Sequence, residues 1–221
     1  MGKKGSPNFQ YVQKPKIGKS GGMLLIWDPT VFVLEEAVQK KYFLAIKGMW
    51  KGKSKQSVIV NVYGPHKDKD KKVFWPSLES IMTLSDVEWV IGGDFNEVRT
   101  EDERQNCEFS KRREKMFNEF IEKCHLIDIP LCGKRFTRIS DDGRKLSKLD
   151  RFLVSEDFLH SWGDVSVTSL DRRTSDPSPL ILRDNNADFG PKPFKIFDLW
   201  IETKEVDSII VEAWRKPFFG S

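Results

Sequence analysis

The stretch at residues 89–96, Trp-Val-Ile-Gly-Gly-Asp-Phe-Asn, constrains the fold of this chain more than any other. A short apolar run followed by turn residues is typical of a buried central strand. Because residues i and i+2 of a strand point the same way, we expect Asp94 and Asn96 to project together, with Phe95 turned into the core. Ligands gather at such strand ends, so this pair could hold a cation and a substrate oxygen. The alternative is a Gly-Asp-x-Asn turn that merely closes the strand.

The rest of the chain predicts a strand-rich α/β fold punctuated by helices. Four closely spaced strands favour an antiparallel meander, at 23–27, 31–38, 42–48 and 57–63. Strands predicted at 136–139 and 145–154 flank a hairpin turn at 141–143, and two more strands are predicted at 165–170 and 179–182. Helices are predicted at 73–84 with Pro76 in the first turn, at 111–124 with Ser110 as N-cap, and at 156–162.

Composition divides the chain into three parts. Residues 1–18 are polar and basic and predict a tail or loop, 19–184 predict the folded domain, and 185–221 predict a linker followed by an amphipathic helical connector. No apolar run approaches the roughly 20 residues of a membrane span, and no signal peptide is visible. The three cysteines Cys107, Cys124 and Cys132 have no metal-finger spacing and indicate reduced intracellular thiols.

Positive charge is concentrated in two places. Residues 1–60 hold eleven lysines and three acidic residues, a formal charge of +8 within a chain of net charge +4. Lys111, Arg112 and Arg113 lie in the first turn of a predicted helix, where the helix dipole opposes them. Both features suggest an anionic partner such as phosphate, and the alternative is an ordinary solvated surface.

Several short motifs recur in the order and approximate spacing of a known family. They are Lys-Ser-Gly-Gly at 19–22, Tyr-Gly-Pro at 63–65, Gly-Gly-Asp-Phe-Asn at 92–96, Lys-Leu-Asp-Arg-Phe-Leu-Val-Ser at 148–155 and Ser-Asp at 175–176. The set resembles the endonuclease/exonuclease/phosphatase superfamily, and within it the apurinic-like endonuclease domain of plant long-interspersed, non-LTR retroelements. Residues 191–200 resemble the connector from that endonuclease to a reverse transcriptase.

The resemblance implies a fold and a reaction. The fold is a four-layer α/β sandwich, in which two mostly antiparallel sheets face each other and helices flank them. The reaction is attack of water on a DNA phosphodiester, assisted by Mg²⁺, and DNA is the expected partner. In intact relatives a reverse transcriptase follows, and the implied location is the nucleus. A bound metal and fixed donors stabilise charge on phosphate oxygens while a carboxylate handles the proton.

The resemblance also assigns roles to individual residues. Asp94 orients or deprotonates the water, Asn96 binds a phosphate oxygen, and Tyr63 donates to the scissile phosphate. Asp150 and Asp94 would hold the metal, weakly because the family's principal Glu is absent. Asp176 would orient a histidine, Ser175 would bind the substrate, and Thr137 occupies the position of a residue that faces DNA.

The sequence departs from the family pattern at two points. The family motif Ser-Asp-His is here Ser175-Asp176-Pro177, and proline cannot donate to phosphate or transfer a proton. Losing one such group typically reduces the rate about 10²–10⁴-fold. In addition, the family's first βα unit, with an Asn and the principal metal-binding Glu, has no counterpart before Lys19.

These departures lead to competing hypotheses. The first is an N-terminally truncated, retrotransposon-derived endonuclease-like domain with little or no nuclease activity. The second is a non-catalytic nucleic-acid-binding remnant, which the basic segments favour. A third keeps the superfamily but changes the substrate to phosphate esters of lipids or small molecules, which the connector at 191–214 argues against. The last is a retroelement fragment without a function.

Overall fold

The computed structural model describes residues 8–16, 22–82, 86–140, 142–170 and 179–185. The longer strands are β2 (Met23–Trp27), β3 (Phe32–Gln39), β4 (Phe43–Trp50), β5 (Gln56–Tyr63), β6 (Val87–Asp94), β12 (Asp150–Ser155), β13 (Val165–Ser169) and β14 (Leu180–Asp184). The others are β1 (Gln10–Lys14), β7 (Arg104–Gln105), β8 (Leu126–Asp128), β9 (Leu131–Cys132), β10 (Arg138–Ile139) and β11 (Leu146–Ser147). The helices are α1 (Asp68–Glu79), α2 (Lys111–Lys123) and α3 (Glu156–Trp162), and a 3-10 turn spans Glu101–Glu103.

A six-stranded sheet forms the centre of the fold. Its strand order is β3-β4-β5-β6-β12-β8, and all neighbours are antiparallel except the parallel pair β5 and β6. The predicted meander is therefore confirmed for β3 to β5. The apolar run at residues 89–91 is buried in β6, as expected for a strand covered on both faces.

The first two strands lie outside the predicted meander, although β2 has its predicted bounds. Residues 10–14, predicted as part of a polar tail, form β1, which pairs antiparallel with β2 in a separate two-stranded sheet. Val12 and Leu25 pack against the cluster of Trp27, Phe32 and Ile46. The single inward apolar residue of β1 is too weak a pattern to reveal a strand, so pairing with β2 decides its structure.

The two faces of the central sheet bury different clusters. On one face, α1 and α2 pack their aromatic residues, and Trp75 stacks on Phe117 at 5.1 Å. On the other face, Val90 and Val154 pack with Phe158 of α3 and Val167 of β13. The second layer on this face consists of β1-β2 and of the sheet β14-β13-β9. The predicted α+β class with mostly antiparallel sheets is confirmed, and the described residues supply three layers: helices, central sheet and second layer.

The helix predictions agree except for α1. Helix α2 begins after Ser110, whose hydroxyl accepts from the Arg113 N–H at 3.5 Å, and α3 has the predicted bounds. Helix α1 begins five residues before the predicted start, and Pro76 lies in its interior rather than its first turn. Asp68 and Asp70 occupy that first turn, where the dipole favours acidic residues. None of the helices in the described ranges is long and apolar enough to cross a membrane.

Candidate active site

Three of the predicted site residues lie side by side at one edge of the central sheet. Tyr63 is the last residue of β5 and pairs with Asp94, the last residue of β6. Asp94 in turn lies opposite Asp150, the first residue of β12. Directly opposite residues of neighbouring strands project on the same face, so the phenol and both carboxylates share one face of the sheet end. This is the face that the second layer covers.

Two glycines allow the backbone to close tightly at this edge. Gly93 has φ +131°, and a Cβ there would lie 2.2 Å from the carbonyl oxygen of Val62. A Cβ on Gly64 would lie 2.3 Å from the carbonyl oxygen of Phe95. The Gly64 N–H donates to the Asp94 carbonyl oxygen at 2.6 Å. Only glycine fits these two close approaches, which explains Gly93 before Asp94 and Gly64 after Tyr63.

Asn96 is held by a turn rather than by strand alternation. The strand ends at Asp94, and Asn96 has φ +51°. The Asp94 Oδ1 accepts from the Asn96 N–H at 2.8 Å, and Asn96 Nδ2 donates to the Gly64 carbonyl oxygen at 2.7 Å. The predicted reason for their proximity is therefore wrong, although the two residues are in contact. Phe95 is fully buried beside Phe117, as predicted.

A buried lysine fixes the same turn from α1. Lys71 is only 2% exposed, and its Nζ donates to the Asn96 carbonyl oxygen at 2.6 Å and to Glu97 Oε2 at 2.5 Å. Burial lowers the pKa of Lys71, and Glu97 opposes that shift. Nothing in the sequence marks this residue as buried, because it lies in an alternating charged segment that is typical of a solvated surface.

Thr137 supports Asp150 from behind. Its side chain is buried, at 2% exposure, and its hydroxyl accepts from the backbone N–H groups of Leu149 and Asp150 at 3.0 and 3.1 Å. This geometry gives Thr137 contacts with the backbone that presents the Asp150 carboxylate. The predicted contact between Thr137 and DNA stays a prediction.

The two carboxylates are electrostatically unfavourable neighbours. Burial, and next the charge of Asp94, raise the pKa of Asp150 to about 6. Burial also raises the pKa of Asp94, against the lowering effects of the Asn96 N–H, His66 and Arg138. Asp150 Oδ2 is buried without a hydrogen-bond partner. Like charges at close range with an unsatisfied oxygen are the arrangement that a cation relieves.

The pair can be tested against the expected Mg²⁺. Within the described ranges, no group of three or more His, Cys, Asp or Glu side chains could hold a metal ion. Mg²⁺, however, is often bound by one or two carboxylates, with waters and substrate phosphates completing its coordination. Asp94 and Asp150 satisfy that minimum, and the unpartnered Asp150 Oδ2 is a free ligand atom. The residues present therefore fit Mg²⁺, with few protein ligands.

Two basic residues that were not predicted lie near the carboxylates. The His66 ring meets the Tyr63 ring edge to face, with centroids 6.4 Å apart. Arg138, at the start of the β10–β11 hairpin, acts on both Asp94 and Asp150 and lowers their pKa values. His66 follows the Tyr-Gly-Pro motif directly, which was a usable signal, but nothing in the sequence relates Arg138 to β6. The predicted residues Ser175, Asp176 and Pro177 lie outside the described residues.

Comparison with known proteins identifies the fold. No protein-family model matches the chain, and no curated protein matches it in sequence. The endonuclease domain of TRAS1, a telomere-specific non-LTR retrotransposon, is similar with a TM-score of 0.58 and 15% identity over 80% of each chain. The 3' phosphatase NExo from Neisseria, bound to a product DNA hairpin, has a TM-score of 0.59 and 17% identity over 80% of this chain and 79% of that one.

A third similar structure is AP endonuclease LMAP from Leishmania major. Its TM-score is 0.60 at 16% identity, over 78% of this chain and 69% of that one. The predicted resemblance is thus confirmed at the level of the fold: the chain has the endonuclease/exonuclease/phosphatase fold.

Proposed function

We propose that this chain is a retrotransposon endonuclease-like domain whose site hydrolyses phosphodiester bonds of DNA with the assistance of Mg²⁺, slowly because Pro177 replaces a histidine. The observation that carries the proposal is the pair Asp94 and Asp150, a half-buried and a buried carboxylate at paired strand ends, with an unpartnered oxygen on Asp150. Similarity to the TRAS1 endonuclease domain supports the retroelement origin. A nuclear location and a reverse-transcriptase domain in relatives belong to the same proposal.

Each residue at the sheet end has a role in this reaction. Asp94 Oδ1 is occupied by the Asn96 N–H, and Oδ2 accepts no hydrogen bond from the described residues, so Oδ2 is available for the proton of the attacking water. Asp150 and Asp94 would hold Mg²⁺, which supplies positive charge to the scissile phosphate when bound. The Tyr63 hydroxyl, which forms no hydrogen bond within the described ranges, donates to a phosphate oxygen. Asn96 uses its second amide N–H in the same way.

Pro177 determines the expected rate. A proline in the family's Ser-Asp-His motif removes an imidazole that would donate to phosphate or transfer a proton. Removal of one such group reduces the rate about 10²–10⁴-fold. Asp176 would then have no histidine to orient. The domain therefore nicks DNA weakly, and restoring the histidine is the direct way to recover the rate.

Nicking of supercoiled plasmid in Mg²⁺ tests the proposal. We expect slow nicking by the unmodified chain, none above background by Asp94→Asn, and nicking at least about tenfold faster by Pro177→His. Asp102→Asn removes an exposed carboxylate that pairs with Arg135 and is the control that should match the unmodified chain. Failure of both the unmodified chain and Pro177→His to nick, with folding verified, would refute the proposal.

A second function is supported by the distribution of charge. The +8 of residues 1–60 and the basic residues around Asn96 would bind a nucleic acid without cleaving it. Salt-sensitive DNA binding without nicking by any variant would favour this alternative. Absence of binding at about 50 mM salt would eliminate it.

A further inference from the structure

A cationic cavity of about 510 Å³ lies beside Asn96. Its lining contains five basic side chains and no acidic one: His66, Arg104, Arg113, Arg138 and Lys145. They come from four segments that are distant in sequence, namely the loop after β5, the strand β7, the first turn of α2 and the β10–β11 hairpin. Because folding brings these charges together, their mutual repulsion must be offset by another interaction.

The protein itself offsets little of this charge. The Arg113 guanidinium is 3.9 Å from Asp68 and from Glu108, whose side chains are 62% and 88% exposed. Ion pairs at that distance and exposure contribute almost nothing. The Arg138 guanidinium forms no hydrogen bond or ion pair within the described residues, and its charge lowers the pKa of Asp94 and of Asp150.

Arg104 is also incompletely satisfied. It is 3.6 Å from Glu97 Oε1, but the same carboxylate is bonded to Lys71 at 2.5 Å, so two cations share one anion. Arg104 Nη1 donates to the Glu108 carbonyl oxygen at 2.7 Å, while its Nε is buried without a partner. A buried donor without an acceptor is unfavourable unless a ligand or water satisfies it.

The cavity also accounts for the misplaced charge of α2. Arg113 is the third residue of the helix, where the dipole is unfavourable for a cation. The Ser110 hydroxyl accepts a hydrogen bond from the Arg113 backbone N–H, so the unfavourable interaction with the helix dipole is that of the Arg113 guanidinium. An anion in the cavity is favoured both by the guanidinium and by the positive end of the helix.

We propose that this cavity binds a phosphate of a nucleic-acid strand adjacent to the phosphate at Asp94 and Asp150. The inference rests on the proposed function and specifies its substrate as a polymer of phosphodiesters rather than a small phosphate ester. A small ester has one phosphate, which the sheet end accommodates. A strand brings a neighbouring phosphate, and the cavity supplies the cations that the two carboxylates lack. Asn96 borders both places, so one strand can span them.

Binding without metal tests the cavity separately from the chemistry. Labelled DNA oligonucleotides are titrated in EDTA, with inorganic phosphate as competitor. We expect Arg113→Gln and Arg138→Gln each to weaken binding about tenfold at about 50 mM salt, and to reduce the salt slope by about one. Lys115→Gln is the matched control, because Lys115 lies on the same helix with its side chain 75% exposed and outside the cavity. It should change binding less than about twofold.

Thiol labelling localises the strand. Cys107 lines the cavity, whereas Cys132 is exposed elsewhere and serves as the internal reference. Burial raises the pKa of the Cys124 thiol to about 11, so this residue should label slowly. We expect the oligonucleotide to slow labelling of Cys107 and to leave Cys132 unchanged. Equal protection by inorganic phosphate would overturn the assignment to a strand.

The outcomes separate this inference from the proposed function. Asp94→Asn should abolish nicking while keeping or strengthening metal-free binding, since it removes a negative charge from the site. Binding that depends on Arg113 and Arg138 in a chain that never nicks would support the cavity and refute the proposed function. Nicking that proceeds with unchanged binding in both arginine variants would support the proposed function and overturn the cavity.

Discussion

Two neighbouring residues of β12 carry opposite charges into opposite faces of the central sheet, and their surroundings differ completely. Arg151 is 1% exposed, with Nη1 2.6 Å from Asp128 Oδ2 and Nη2 2.7 Å from Glu103 Oε2. Asp150 is 7% exposed, but its facing neighbour is Asp94 and its Oδ2 has no partner. A buried charge between two opposite charges belongs to the architecture, even though Arg151 Nε has no acceptor, whereas a buried charge beside a like charge is suited to a ligand.

The pKa shifts of these groups show the same contrast. Burial tends to lower the pKa of Arg151, but Asp128 and Glu103 outweigh burial and raise it. Burial tends to raise the pKa of Glu103, but Arg151 outweighs burial and lowers it. At Asp150, by contrast, burial and the charge of Asp94 act in the same direction and raise the pKa to about 6. Ionisation therefore stabilises one side of β12 and destabilises the other.

The largest effect is expected from removing the paired cation. Arg151→Met leaves Asp128 and Glu103 buried without their main partner, so we expect the free energy of unfolding to fall by about 3–5 kcal/mol. Arg135→Met is the matched control, since Arg135 also approaches a carboxylate at 2.7 Å but both side chains are more than 60% exposed. Its effect should be no more than about 1 kcal/mol in the same urea titration. Equal losses in the two variants would contradict the distinction between structural and ligand-binding charge.

The second effect has the opposite sign. Because the folded chain binds the Asp150 proton more tightly than the unfolded chain, the free energy of unfolding should fall as pH rises from about 4 to 6 and then level off. We expect Asp150→Asn in EDTA to remove much of this slope and to stabilise the fold at pH 7 by on the order of 2–3 kcal/mol. Asp128→Asn, which weakens the bond to Arg151, should instead destabilise it. A loss of stability in Asp150→Asn would place Asp150 among the structural charges.

The third effect is expected from the binding of Mg²⁺ to Asp94 and Asp150. If Asp94 and Asp150 bind Mg²⁺ near millimolar affinity, about 10 mM Mg²⁺ stabilises the fold by about 1–1.5 kcal/mol at pH 7.5. The increase should vanish at pH 5, where Asp150 is protonated, and in Asp150→Asn. Thermal unfolding with and without Mg²⁺ measures it. The same increase in Asp150→Asn would assign the ion to another part of the chain.

Most of the fold could be predicted because its signals are local. The alternation in β4, the β-branched residues of β5, the apolar run of β6 and the Ser110 cap each depend on adjacent residues. β1 was missed because its structure depends on pairing with β2. The start of α1 was missed because Lys71, which faces inward, has the composition of a surface residue. Local sequence cannot show that a lysine has buried partners at Asn96 and Glu97.

The two carboxylates of the site could be predicted from the sequence, but the ion pairs and basic residues around them could not. Asp94 and Asp150 belong to short motifs, and the register of β6 and β12 places them opposite each other. Arg151 pairs with Asp128, 23 positions away in the sequence, and with Glu103, 48 positions away, and no spacing rule connects such residues. The unfavourable position of Arg113 in the first turn of α2 indicated an anionic partner. The sequence could not show that Arg104 and the β10–β11 hairpin lie beside it and form a cavity.

The smallest effect is expected from Arg138, an exposed residue whose charge acts on both carboxylates. Its charge lowers the pKa of both Asp94 and Asp150, so Arg138→Gln should raise both and move the midpoint of Mg²⁺ stabilisation to higher pH. Since the side chain is exposed, the shift should be larger at about 50 mM salt than at about 500 mM, where the Debye length is shorter. Arg144→Gln changes the same charge in the same hairpin and should not move the midpoint. A shift independent of salt, or equal in both variants, would show that Arg138 acts through hairpin structure. A salt-dependent shift confined to Arg138→Gln would show that the charge of Arg138 acts on both carboxylates.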